Sequence, residues 1–166
     1  MRLGSRKITP RDAALAVLVI AFATIAGAWI FEAFGYLPCE LCLKQRWAYY
    51  VGVPLAAITL ALAWRGPLPL ARIGLGLLAL VFLGSAIFGT YHAGVEWGFW
   101  PGPTDCTGSI GGAAKDMSDF MSQLQTTRVV RCDAVAIRIF GLSLAGWNAV
   151  ISAFMTAVAV MGLRSR

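Results

Sequence analysis

The sequence predicts an all-α membrane protein: a bundle of four transmembrane helices, both termini cytoplasmic, with a long outer loop carrying a short interfacial helix. Three observations carry this. The 166 residues are 58% hydrophobic and only 13% charged, with a mean hydropathy of +0.72, the composition of an integral membrane protein. Four apolar runs, at about 13–34, 43–63, 73–91 and 139–163, are each long enough as helix to cross a hydrocarbon layer of about 30 Å. Basic residues flank the runs: Arg2, Arg6, Lys7 and Arg11 precede the first, Arg65 and Arg72 bracket the second connection, and Arg164 and Arg166 follow the fourth. By the positive-inside rule those three segments are cytoplasmic, and the loops at about 35–42 and 92–138 lie outside. Residues 1–166 then form a single integral membrane domain in the lipid bilayer. The net charge of +6 does not indicate a nucleic-acid partner, because the basic residues form no patch with interleaved aromatics.

Taken in order, residues 1–12 are a basic tail. The first run contains Ala26-Gly27-Ala28, which resembles a signal-peptidase site. Its apolar core continues through Trp29, Ile30 and Phe31, longer than the roughly 7–15 residues of a cleaved signal, so the first helix is expected to stay. Pro38-Cys39-Glu40-Leu41-Cys42-Leu43-Lys44-Gln45-Arg46 opens the second run. A proline suits the first turn of a helix, so Pro38 is expected to start one that passes through both cysteines. Pro54 should kink this helix by removing one backbone hydrogen bond, and Trp64-Arg65-Gly66-Pro67 ends it. Gly74, Gly76, Gly84 and Gly89 give the third run close helix approaches. His92, the only histidine, is expected at the outer water interface with Glu96 and Trp97, as a hydrogen-bonding residue and not a metal ligand. The loop beyond holds the aromatic stretch 97–103, suited to lipid headgroups. An amphipathic segment follows, with Ile110, Met117, Met121 and Leu124 near helical spacing. In the fourth run Gly141, Ala145, Ala149, Ala153 and Ala157 recur every four residues and read as a packing seam, and Asn148 is placed to bond a neighbouring helix.

The chemistry lies in the four cysteines, Cys39, Cys42, Cys106 and Cys132, all in the two outer segments, where disulfides persist. Near a helix N-terminus, free N–H groups and the positive end of the dipole favour a thiolate. Cys42 falls on the face of Cys39, with Arg46 one turn deeper, while Glu40 acts against a second negative charge. Four cysteines allow three pairings and spacing does not choose among them, although Cys39/Cys42 with Cys106/Cys132 is the natural guess. A structural staple explains a Cys106/Cys132 bridge but not Cys39/Cys42, whose closure restrains little chain. A zinc site would need two ligands besides Cys39/Cys42, and no metal is expected. A thiol pair at a membrane boundary can pass two electrons to a lipid-soluble acceptor. A quinone fits, its ring needing a flat apolar slot and its oxygens needing donors such as Arg46 and His92.

These residues also carry a resemblance. The run Cys39-Glu40-Leu41-Cys42-Leu43-Lys44-Gln45-Arg46 does so first. With it stand Tyr91-His92-Ala93-Gly94-Val95-Glu96-Trp97, the Cys106/Cys132 loop and Phe140-Gly141-Leu142-Ser143-Leu144-Ala145-Gly146-Trp147-Asn148. Together they resemble the DsbB family of disulfide-bond-formation proteins, quinone reductases of the bacterial inner membrane, along the whole chain. The resemblance implies that Cys106, paired with Cys132, is attacked by the reduced periplasmic thiol oxidase DsbA. Electrons then pass to Cys39/Cys42. It further implies that Cys42 is the thiolate contacting ubiquinone, or menaquinone, and that Arg46 positions and polarises this quinone. His92 and Glu96 are secondary candidates near the quinone. A non-enzymatic scaffold with structural disulfides, or a paralogue dedicated to one partner, are the alternative readings.

Overall fold

A computed structural model describes residues 8–103, 116–118, 121 and 131–165. Among these residues four long helices cross back and forth: α1 Pro10–Ala33, α2 Glu40–Arg65, α3 Leu68–Glu96 and α4 Leu144–Arg164. All four are long and apolar enough to span a membrane. Their outward faces are apolar too, with Phe22, Leu80 and Ile87 all exposed. This is how a bundle in lipid looks, where hydrophobicity does not drive helix association and packing decides which face turns inward.

α1, α2 and α4 each start where a side chain caps the first turn, and α3 starts at prolines. Thr9 and Asp12 form a capping box on α1, satisfying two orphan N–H groups reciprocally. Pro67 precedes α3, whose first turn holds Pro69 and requires no N–H there. α3 runs on past the apolar run at 73–91 to Glu96, carrying His92 on a helical face. α4 begins at Leu144, later than the apolar run at 139, because residues 138–143 fold into a tight hairpin. β1 Arg138–Ile139 pairs antiparallel with β2 Leu142–Ser143. Its two turn residues, Phe140 and Gly141, have φ of 51° and 84°, the turn type whose twist matches paired strands. Trp147 Nε1–H donates to Ile139 O at 2.9 Å and pins the hairpin to α4.

The packing seam of α4 is not the stripe of small residues at four-residue spacing. Ala153 and Ala157 are exposed. The buried face instead carries Ala145, Asn148, Ser152, Met155, Ala159 and Gly162. Steps of four residues turn about 40° on a helix of 3.6 residues per turn, so a strict i+4 stripe leaves the contact face, whereas alternating steps of three and four stay on it. Gly89 of α3 lies against this face, where an added Cβ would sit 3.0 Å from Ala149 N and 3.1 Å from Asn148 Nδ2. Gly89→Val is therefore expected to cost about 1–3 kcal/mol through overpacking against backbone. A lowered thermal unfolding midpoint in detergent would show it, and an unchanged midpoint would refute the close approach.

The basic ends meet. Arg11 of α1 donates to Ala63 O at 2.8 Å and Trp64 O at 3.2 Å at the end of α2, and Arg72 of α3 donates to Ser165 O at 3.0 Å beyond α4. Cys39, His92 and Glu96 therefore occupy the opposite end of the bundle. The amphipathic segment expected around 110–124 falls mainly outside the described residues, as does Cys106.

Candidate functional site

Pro38 does not open α2. Cys39 is the N-cap itself, with extended backbone (φ −75°, ψ 172°), and its Sγ accepts the Cys42 N–H at 3.3 Å. A sulfur in place of the usual cap oxygen thus takes one orphan donor of the first turn. Cys39 and Cys42 are both free thiols, with sulfurs 2.9 Å apart.

The thiolate-favouring contacts gather on Cys39. The Cys42 thiol, the His92 ring and the Cys42 N–H all hold its pKa well below the usual thiol value against the opposing effect of burial. One charge in the pair is favoured by a shared proton and opposed in duplicate. Iodoacetamide at pH 6 is accordingly expected to alkylate Cys39 of the reduced protein ahead of Cys42, as read by peptide mass mapping. An ordinary thiol would be only a minor fraction thiolate there. Equal labelling would remove the asymmetry.

His92 is not at the water interface. It is 1% exposed, held one helical turn before the end of α3, with Nε2 3.6 Å from Cys39 Sγ. Its Nδ1 lies 2.6 Å from Gln45 Nε2. Asn148 Nδ2 donates to Gln45 Oε1 at 2.6 Å, Tyr49 OH donates to Asn148 Oδ1 at 2.5 Å, and Ser152 Oγ lies 3.3 Å from the same phenol. In this arrangement Nδ1 accepts and the neutral ring carries its proton on Nε2, facing sulfur. Gln45 and Tyr49 received no role from the sequence. Their signal was there: Cys42, Gln45 and Tyr49 follow at three and four residues along one helical face, and polar groups within membrane helices are costly unless paired. Asn148 does bond a neighbouring helix.

Arg46, the cation one turn below the sulfurs, is paired. Its Nη1 lies 2.6 Å from Glu32 Oε2 and its Nη2 3.5 Å from Ala28 O. Glu32 near the end of α1 is thus a site residue the sequence analysis missed. Its signal was a lone carboxylate closing an apolar run. Glu40 turns away to Lys44, at 2.7 Å. Glu96 accepts the Ser143 hydroxyl, while the same Ser143 oxygen accepts the Gly146 N–H at 3.1 Å. Glu96 thereby locks the end of α3 to the start of α4.

Between α1, α2 and α4 lies an apolar cavity of about 460 Å³. Cys42, Arg46, Tyr49, Trp147 and Asn148 are among its lining residues, and Cys39 is not. Cys39 lies instead in a buried cluster with Leu41 and Cys132, against which Cys42 and Phe88 pack. Cys132 is disulfide-bonded. The C-x-x-C pair therefore borders two environments, with Cys39 packed beside a second cysteine and Cys42 on the wall of an apolar slot.

A membrane-type four-helix bundle presenting a free dithiol, a buried histidine and a neighbouring disulfide cysteine defines a membrane thiol–disulfide oxidoreductase. The chain matches the model of the disulfide bond formation protein DsbB family over residues 10–162 and belongs to that family. It is also similar to an uncharacterised protein of Rickettsia prowazekii, RP370, at 25% identity over 140 residues, covering 83% of this chain and 78% of that protein. No solved structure matches it.

Proposed function

We propose that the protein reoxidises a periplasmic DsbA-type dithiol protein and passes the electrons through its two cysteine pairs to a membrane quinone. The observation that carries this reading is the division of labour between Cys39, packed beside Cys132, and Cys42, on the cavity wall. Arg11, Arg65, Arg72 and Arg164 gather at the other end of the bundle, so the positive-inside rule puts them in the cytoplasm and the cysteines on the periplasmic side of the bacterial inner membrane.

The reduced partner attacks Cys106 of the Cys106–Cys132 disulfide. The Cys132 thiolate released attacks Cys39 of the Cys39–Cys42 disulfide and frees Cys42. The partner's second thiolate then displaces Cys106 and the partner leaves oxidised, and Cys106 displaces Cys39 from Cys132, restoring Cys106–Cys132. Each attack forms one S–S bond and breaks one. His92, with a proton on Nε2, stabilises the Cys39 sulfur as leaving group and as thiolate, and Gln45 holds the ring in that orientation. Two electrons and two protons must leave when the Cys39–Cys42 disulfide closes again.

The cavity suits a quinone ring, being apolar over most of its wall with an arginine and amide and phenol groups at one side. A bound ubiquinone or menaquinone supplies the acceptor for that electron pair. Cys42 lies where such a ring would meet sulfur, and Arg46 offers charge-assisted donors to its oxygens. Glu96 acts at a distance, holding α3 and α4 in register around the site.

Anaerobic mixing of the detergent-purified protein with a reduced DsbA-type protein and a soluble ubiquinone analogue, followed by quinone absorbance, tests the reading. Quinone loss that requires both cysteine pairs supports it. An intact fold with no quinone loss would overturn it in favour of a structural role for the disulfides.

A further inference from the structure

Three soft ligand atoms converge in the reduced site. Cys39 Sγ, Cys42 Sγ and His92 Nε2 all lie within 4.8 Å of one another, on residues that are buried or half-buried. Thiolate and imidazole together select d10 cations such as zinc. With metal–sulfur bonds of about 2.3 Å and metal–nitrogen bonds of about 2.0 Å, tetrahedral geometry places sulfur and nitrogen roughly 3.5 Å apart and two sulfurs roughly 3.8 Å apart. Cys39 Sγ and His92 Nε2 already stand at 3.6 Å. The sulfurs, at 2.9 Å, must separate by about 0.9 Å, within reach of a rotation of the Cys42 side chain into the neighbouring cavity. We propose that the reduced Cys39/Cys42 pair and His92 form a binding site for one thiophilic divalent cation of the zinc class, with the fourth position left to water.

A metal-ligating histidine needs a free Nε2 and usually donates its other N–H to an oxygen. The polar chain behind the ring can supply that arrangement without losing a hydrogen bond. If Gln45 and Asn148 each turn their amides over, Gln45 Oε1 accepts from Nδ1–H, Asn148 Oδ1 accepts from Gln45 Nε2, and Asn148 Nδ2 donates to the Tyr49 oxygen. The Tyr49 hydroxyl then donates to Ser152 Oγ, 3.3 Å away. Two amides and a phenol work in either direction, so the ring can hold its proton on either nitrogen.

Binding moves no electrons. The Cys42 thiol proton leaves to solvent, Cys39 being held as thiolate already, and two sulfur–metal bonds and one nitrogen–metal bond form. Closing the Cys39–Cys42 disulfide removes both sulfur ligands, so the site exists only in the reduced protein, and a bound cation withholds the sulfurs from reoxidation. The inference stands on the geometry of the three ligands and not on the direction or acceptor of electron flow.

The test uses the full chain in detergent with Cys106→Ser and Cys132→Ser, so that one thiol pair remains. The reduced protein, freed of reductant anaerobically, is titrated with Cd²⁺ while the sulfur-to-cadmium absorbance in the ultraviolet is followed. Saturation at one Cd²⁺ per chain is expected, with no band in the oxidised protein. Cys42→Ser and His92→Ala should each weaken binding at least tenfold with helical circular dichroism retained. Since His92 is buried, Gln45→Glu gives a reading that keeps the ring in place: a carboxylate on Nδ1–H favours the ligating tautomer and should tighten binding by about tenfold. No band in the reduced protein, an undiminished band without His92, or a Gln45→Glu variant that binds no more tightly would overturn the proposal. None of these readouts involves quinone, so a failed quinone assay and a failed cation titration remain distinct results.

Discussion

Cys42→Ser is expected to lower quinone reduction by at least about a thousandfold, the scale on which removal of a reacting nucleophile acts. Serine is close in size to cysteine, and its hydroxyl can still donate to Cys39 Sγ, so the cap of α2 and the packing around it should survive. The loss would then be one of chemistry. Without Cys42 the Cys39–Cys42 disulfide cannot form, and no sulfur of the described residues remains on the wall of the cavity. Cys39 still packs beside Cys132, so exchange on that side should continue and stop at a disulfide linking the two, seen as a trapped species on non-reducing electrophoresis. A variant retaining a tenth of the rate would sink the assignment of Cys42.

Arg46→Ala should raise the apparent KM for a quinone analogue by roughly 10- to 100-fold, the equivalent of losing one hydrogen bond from a charged donor, about 1.5–3 kcal/mol. The Cys39 environment does not include Arg46, so alkylation of Cys39 should be unchanged, and this contrast separates quinone positioning from damage to the thiol pair. The fold should tolerate the change, because the carboxylate left behind, Glu32, is 41% exposed in its side chain and can be rehydrated. Glu32→Gln should move KM in the same direction by less, since it frees the guanidinium without removing it. An unchanged KM in Arg46→Ala would show that the cavity wall near Arg46 does not receive the acceptor.

Both predictions rest on the orientation of α2, and the contrast between what its residues announce and what its neighbours decide runs through the molecule. Four long apolar runs and their basic flanks are properties of composition along the chain, so the four membrane-type helices were legible in sequence. Spacing alone likewise put Cys42 on the face of Cys39 with Arg46 one turn deeper, because helical periodicity is local. The seam of α4 was misread for a related reason: a strict four-residue repeat looks regular on paper but drifts around a helix of 3.6 residues per turn.

What lay beyond the sequence was every relation between helices. His92 reads as an interfacial residue because it follows an apolar run, and only the extension of α3 against α2 and α4 buries it behind Cys39. Arg46 reads only as a cation one turn below the sulfurs until α1 brings Glu32 within 2.6 Å. The two cysteines look equivalent in sequence, both near a helix start. The structure separates them: Cys39 caps α2 by accepting the Cys42 N–H, and the packing of His92 and Cys132 against it depends on contacts 53 residues or more apart in the chain. Composition and local period therefore determined that this protein is a four-helix membrane-type bundle with a thiol pair at one helix mouth. Which sulfur is held as thiolate, and which one meets the cavity, was decided by tertiary packing, because burial, charge pairing and hydrogen-bond direction belong to the neighbours that the fold assembles.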